Sequence, residues 1–251
     1  RQFCRDIGTT RTNSRQSIEA LESYVRRDLN AGAQRRMAVL RPLKLVLTNW
    51  PQGQVDHFEV ANNPENPADG VRSVAFTGQL WIEAEDFAEV PPPKFFRLSV
   101  GREVRLRGAY LITATEVVKD DAGTIEQVNA TFDPESRGGN SPDGRKVKST
   151  MHWVSASHAV AGTVALYDRL FSAALPGERT GEPLDDLNPN ARELLTNCQL
   201  EAALAETAPG EVVQFERLGY FAKDPSEPML FHRTVGLRDE WAAIQRRPTA
   251  G

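Results

Sequence analysis

The stretch Lys94-Phe95-Phe96-Arg97-Leu98-Ser99-Val100-Gly101-Arg102-Glu103-Val104-Arg105-Leu106-Arg107 sets five basic residues against one acid, the densest cationic run in the chain. A guanidinium presents five donors in a rigid plane. It can grip a phosphate or a guanine edge bidentately and can stack on an unpaired base. In an extended strand, alternation puts Arg105 and Arg107 on one face while Val104 and Leu106 enter the core behind them. The chemistry this suits is binding of single-stranded RNA. The plainer reading is a soluble strand with arginines on its wet face, and the pattern alone leaves both open.

Chemistry of other kinds finds no support. His57, His152, His158 and His232 are scattered, without His-x-x-x-His or His-Glu-x-x-His spacing, so no metal ligand is assigned. His152 beside Trp153 reads as a barrel histidine. There is no Gly-x-Gly-x-x-Gly and no Walker-type loop, and Gly138-Gly139 reads as a turn. Asp120-Asp121 and Asp185-Asp186 sit in expected loops, where solvated carboxylates make poor general acids. Cys4 and Cys198 stand alone, which suits a reducing, cytoplasmic setting. No catalytic residue is expected.

The elements that must carry the basic run are read from periodicity. Ile18, Leu21, Val25 and Leu29 recur at spacings of three and four and predict a helix, capped by Asn13 or Ser14 and stopped by Asn30-Ala31-Gly32, with Arg35-Arg36 in the connector. From Met37 to about Val154 the period becomes that of strands: Leu43–Leu47, His57–Val60, Val74–Ile82, Phe95–Val100, Val104–Arg107, Tyr110–Val118 and Ile125–Phe132. Strands at that spacing predict a closed or nearly closed barrel. Pro91-Pro92-Pro93 is a stiff spacer and marks an expected boundary between two β units. Residues 176–189 read as a surface connection, Ala191–Leu195 and Leu200–Glu206 as turns or short helix. Val212–Arg217, Gly219–Phe221 and Met229–Val235 read as strands. Residues 241–251 lack an apolar period and read as a tail.

The chain has 251 residues, 40% hydrophobic and 25% charged, ample for a buried core and too apolar for disorder. Every apolar run is broken well short of the about 20 residues a membrane-crossing helix needs, so no membrane partner is expected. The opening Arg1-Gln2-Phe3 has no Met and no apolar leader, so the chain reads as a cut piece and not as a secretory precursor. Its formal charge of −4 argues against whole-surface attraction to nucleic acid. Any such partner must be met locally.

Several blocks carry a more specific signal. Met37-Ala38-Val39-Leu40-Arg41-Pro42-Leu43-Lys44-Leu45-Val46-Leu47 resembles the start of the anticodon-binding region of glutaminyl-tRNA synthetases. In the same order follow Gly78-Gln79-Leu80-Trp81-Ile82 with Asp86-Phe87, then Arg97 to Arg107 with Ala109-Tyr110. Asp143-Gly144-Arg145-Lys146-Val147-Lys148 with His152-Trp153-Val154-Ser155-Ala156 is the next, and then Leu166-Tyr167-Asp168-Arg169-Leu170-Phe171. Gln214-Phe215-Glu216-Arg217-Leu218-Gly219-Tyr220-Phe221 and Phe231 to Asp239 complete the series, so the resemblance covers nearly the whole chain.

The resemblance implies a mainly β fold: two consecutive barrels of the ribosomal-protein-like, anticodon-binding type, preceded by a short α-helical segment. It divides the chain into residues 1–36, the end of a helical connecting subdomain, a proximal barrel from 37–81 with 152–240, a distal barrel from 82–151, and the tail. It implies the C-terminal half of a class I aminoacyl-tRNA synthetase whose other half binds ATP and glutamine. The His-Ile-Gly-His and Met-Ser-Lys elements of that catalytic half are absent here, so this piece is expected to need no cofactor, to bind glutamine tRNA as a monomer, and not to charge it. No DNA partner is expected.

Residue by residue, the resemblance implies that Arg97 reads the third anticodon base, a guanine. Arg35 and Gln214, with Arg217 close by, would line the pocket for the central uracil. Arg105, with Arg107 beside it, would meet the first base. Lys94 and Phe96 depart from the family pattern: Lys94 keeps only donors, and Phe96 cannot neutralise phosphate but can stack on a base. Arg145, Lys146 and Lys148 would meet the tRNA backbone or merely keep a loop soluble. Trp81, Trp153, Trp241, Tyr110 and Tyr220 read as core aromatics. The alternatives are a glutamyl-type synthetase, whose third base is cytosine, a stand-alone RNA-binding barrel, and a protein-interaction barrel with its arginines on opposite faces.

Overall fold

The structure, a computed structural model, describes residues 1–8, 16, 18–141 and 143–237. The proposed cap at Asn13 or Ser14, the Arg238-Asp239 end of the last block, Trp241 and the tail lie outside these residues.

Two helices lead, α1 (Gln2–Ile7) and α2 (Ile18–Gly32). The chain then runs through β1 (Arg35–Arg36), β2 (Ala38–Val39), β3 (Pro42–Leu47), β4 (Asp56–Ala61), β5 (Val71–Phe76), β6 (Gln79–Glu83), β7 (Glu103–Leu106), β8 (Leu111–Lys119) and β9 (Ile125–Phe132). There follow β10 (Thr150–Met151), β11 (Val154–Ser155), β12 (Val160–Tyr167), β13 (Arg192–Leu200), β14 (Val212–Phe215), β15 (Gly219–Lys223) and β16 (Leu230–Gly236).

The strands form two barrel-like sheets, ordered β10-β7-β8-β9-β3-β6-β11 and β1-β14-β15-β16-β12-β13-β2, with β4-β5 as a separate hairpin. One continuous segment closes each sheet. Residues 150–151 pair with β7 at one end and residues 154–155 pair with β6 at the other, so the stretch interrupted by His152-Trp153 joins both edges. Residues 35–36 pair with β14 and residues 38–39 with β13, and so close the second sheet in the same way. Closure removes the unpaired edges that would otherwise invite pairing with other chains.

Residues 37–40 also bind the barrels together. Side chains alternate there, so Met37 and Val39 enter the first core while Ala38 and Leu40 enter the second. Trp50, Phe58, Phe76, Tyr110, Phe132 and Trp153 pack edge to face or tilted in and around the first core, with Phe76 and Trp153 centroids 4.8 Å apart. Phe215, Phe221 and Phe231 fill the second. Helix α2 lays Val25 and Leu29 against Ala33, Tyr220 and Val235, while Ile18 and Leu21 of the same stripe are exposed. Trp153, Tyr110 and Tyr220 are buried and Trp81 is half-buried against the first core, as large aromatics in apolar surroundings should be.

The pairing corrects the expected division of the chain. Residues 42–83 do not share a barrel with 160–236: β3 pairs with β9 in register Lys44↔Gln127, and β6 pairs with β3 and β11. The first barrel is therefore residues 42–155, and the second is residues 35–39 with 160–236. Pro91-Pro92-Pro93 is no boundary either. It lies in an exposed loop that returns to its own barrel through Phe87↔Leu98. Consequently Phe95–Val100 touches the sheet only through isolated bridges and forms no strand. The run Val74–Ile82 breaks at Thr77-Gly78, where a Cβ on Gly78 would lie 2.9 Å from the Trp50 side chain. Arg192–Leu200 is a nine-residue strand and not turn or helix. Its polar outer residues hide the period, and pairing with β12 and β2 overrides local preference. Arg35-Arg36 is likewise strand, not connector.

Candidate nucleic-acid interface

Strand β7 behaves as its alternation requires: Val104 and Leu106 are buried, and Arg105 and Arg107 stand half-buried on the other face. The Arg105 Nε donates to the Gly139 carbonyl. Gly139 has φ +85°, and a Cβ there would lie 3.1 Å from Arg105 Cδ, so glycine is required beside the guanidinium. Arg107 forms an ion pair with the buried carboxylate of Glu216, which follows β14 in the second barrel. Burial raises the Glu216 pKa, against the pull of Arg107, Arg72 and His152. Below the strand, Trp153 Nε1 donates to the Arg107 carbonyl at 3.0 Å, tying its backbone to the core.

The two barrels meet at Asp86, which is 1% exposed. It ends a short 3-10 turn, Ala84–Asp86, and its carbonyl accepts from Leu98 N at 2.9 Å, which holds the Arg97 segment alongside. Arg217, in the left-handed region at φ +69°, donates from both terminal nitrogens to Asp86, at 2.6 and 2.8 Å. Arg97 approaches the same carboxylate at 3.1 Å and donates to the Glu85 carbonyl at 3.1 Å. Burial works against the Arg217 charge, but the hydrogen bonds and charge of Asp86, with Glu83 and Glu85, outweigh it and raise its pKa. His152 completes the junction, with Nδ1 3.2 Å from Arg217. The other ring nitrogen, Nε2, is buried and lies 3.6 Å from Glu83 Oε1, beyond hydrogen-bond distance.

On the outer side, Phe96 is 53% exposed and Lys148 Nζ lies 5.2 Å from its ring centroid, a cation–π pair that links the basic run to the residue 143–148 loop. Lys94 is exposed beside it, at φ +65°. Lys146 is exposed as well. Glu103, Asp133 and Asp143 hold the Arg145 guanidinium by hydrogen bonds and raise its pKa. Its charge is offset within the chain.

Arg35 and Gln214 are strand neighbours in the parallel register of β1 and β14. The Arg35 guanidinium, however, is buried and turned toward α2, donating to the carbonyls of Ala33 and Asn30 and to Asn30 Oδ1. It thereby satisfies carbonyls that a helix end leaves unpaired, so in this structure its donors are engaged as a cap. No hydrogen bond or ion pair joins Arg35 or Gln214 to Arg97. What connects them is β14 and the two residues that follow it: Gln214, Phe215, Glu216 and Arg217 run from the Arg35 neighbour to the two side chains that dock on the first barrel.

Beside Arg217 opens a cleft of about 440 Å³ walled by Leu40, Arg41, Glu85, Tyr167, Leu218 and Arg233. The Tyr167 hydroxyl lies 2.7 Å from His232 Nδ1, and the two rings stack. The cleft is large enough for an unstacked base, with donors, acceptors and an aromatic on its walls. Sequence reasoning missed Asp86, Glu216 and His152 as parts of the site, because acids and a lone histidine carry no signal for RNA binding until their cationic partners are located. Among the described residues, no group of three His, Cys, Asp or Glu could hold a metal ion. Among the same residues, no helix is long and apolar enough to cross a membrane.

Residues 33–133 match the family model of the anti-codon binding domain of class I tRNA synthetases (E and Q), and residues 150–224 match a second model of the same description. The first takes in Lys94, Arg97, Arg105 and Arg107, and the second His152, Gln214 and Arg217. The chain belongs to this family. A glutamine–tRNA ligase of Nitrobacter winogradskyi is 49% identical over 247 residues, 97% of this chain and 44% of the relative. The corresponding ligase of Rhodopirellula baltica is 48% identical over 98% of the chain and 42% of the relative. That of Vibrio vulnificus is 45% identical over 98% and 45%. The chain thus spans less than half the length of these curated relatives.

Proposed function

We propose that this chain recognises the anticodon loop of glutamine tRNA, as the anticodon-binding part of a longer glutamine–tRNA ligase. The observation that carries the reading is that Arg97 of the first barrel and Arg217 of the second are held on one carboxylate, and that Arg217 also lines a base-sized cleft. Arg97 would read the third base, where a guanine offers two acceptors to a guanidinium. Arg217 and Gln214 would serve the central uracil, and Arg105 and Arg107 the first base. Phe96 offers an exposed face for stacking, with Lys94, Lys146 and Lys148 as backbone cations. Arg35 would act on the central pocket through the placement of β1 beside β14.

In the longer protein, ATP and glutamine would be bound by residues outside this chain, which alone would not charge tRNA. The reading also takes the chain as a monomer working in the cytoplasm. The test is a titration of the chain against anticodon stem-loops that differ by one base, at two salt concentrations. Salt dependence reports phosphate contacts, and the differences between loops report base reading. Equal affinity for all loops at both salts would exclude anticodon recognition. A preference for cytosine at the third base would move the assignment to the glutamyl type.

A further inference from the structure

We infer that Asp86 couples the reading of two neighbouring anticodon bases, so that the central and third positions are not recognised independently. This rests on the anticodon reading above. A buried acid is out of place in a site for a polyanion unless its charge is fully partnered. Asp86 is partnered from both barrels. Its Oδ2 accepts from Arg217 at 2.6 Å, and its Oδ1 accepts from Arg217 at 2.8 Å while lying 3.1 Å from Arg97. One oxygen therefore serves two guanidinium groups, each placed to meet a different nucleotide.

The two arginines are held unequally. Arg217 has both terminal nitrogens on Asp86 and a further contact to His152. Arg97 is more exposed and shares its donors with the Glu85 carbonyl. A base that draws Arg97 to its edge removes it from Oδ1 and leaves the carboxylate to Arg217, which then sits differently for its own base. A mismatch at the third position leaves Arg97 on Asp86 and so already perturbs Arg217. A second mismatch at the central position then has less recognition left to remove. Groups that share a partner are non-additive for this reason. A carboxylate that merely fastened the barrels together would leave the two positions independent.

The experiment measures the affinity of four stem-loops for the full chain: cognate, altered at the third base, altered at the central base, and altered at both. For the unmutated chain, the loss from the double change is expected to fall short of the product of the single losses by at least about three-fold, toward the lower end of couplings between groups in contact. Asp86→Asn should restore the product. Glu89→Gln, which alters an exposed carboxylate paired with Lys119 and with neither arginine, should retain the shortfall. Melting curves accompany each variant. If Asp86→Asn does not fold, Asp86→Glu, which shifts the charge by one methylene, should reduce the shortfall. Single losses that multiply in the unmutated chain overturn the coupling while leaving anticodon recognition intact. No loss from either single change overturns both.

Discussion

Asp86 and Arg217 face each other across the junction of the two barrels, joined by two hydrogen bonds of 2.6 and 2.8 Å that close a planar fork on a planar carboxylate. Such bidentate pairs fix orientation as well as charge. Each barrel supplies half of the contact, so the cationic surface of neither is complete alone.

Arg97→Ala should weaken discrimination at the third anticodon base by about 1–3 kcal/mol, the scale of one good base contact. Binding to a loop already altered at that base should change much less. Equal losses for the two loops in a filter or fluorescence titration would show that Arg97 serves the phosphates instead.

Phe96→Ala removes a half-exposed ring and, with it, the platform on which Lys148 rests. If a base stacks there, affinity should fall by about 1–3 kcal/mol for every loop sequence alike, because every base has a face. Lys148→Ala should instead flatten the salt dependence. An unchanged affinity after Phe96→Ala would place the loop elsewhere.

Arg35→Ala should act on stability before recognition. Its guanidinium closes the carbonyl end of α2, and its removal should cost about 1.5–3 kcal/mol, the scale of hydrogen bonds from a charged donor. The expected signature is a lower midpoint in urea, with base preference preserved in the folded fraction. Selective loss of central-base preference at unchanged stability would return Arg35 to a base-reading role.

The Asp224 carboxyl is pulled from 3.8 down to about 2, chiefly by His232, with the amides of Glu227 and Ser226. A carboxyl lowered in the fold adds stability that is complete above its unfolded value, so this contribution is present above about pH 4 and is lost as pH falls toward 2. Asp224→Asn should give a shallower acid limb in melting temperature between pH 5 and 2. Superimposable limbs would mean that the His232 contact contributes nothing to folding.

Much of the fold was legible because alternation and helical spacing are local. Ile125–Phe132 appears as the strand its pattern predicts, and Val104 and Leu106 point inward as period two requires. Ordered blocks of sequence identified the family for the same reason, since they survive in the linear chain. Strand β13 was not legible: its outer residues are polar, and only its partners on both sides make it a strand. Nor was the true division between barrels, because Lys44 and Gln127 become neighbours through pairing and not through sequence.

The sequence by itself determined that this chain is mainly β, that it carries a concentrated basic run, and that Arg105 and Arg107 share a face. Only the tertiary structure decided which cations are presented and which are engaged within the chain. Arg35 serves the end of a helix, Arg145 is surrounded by acids, and Arg97 and Arg217 share Asp86. The partners in each case lie in other elements. An arginine's chemistry is fixed by its side chain, but its availability is fixed by the carboxylates and carbonyls that folding brings within hydrogen-bond reach.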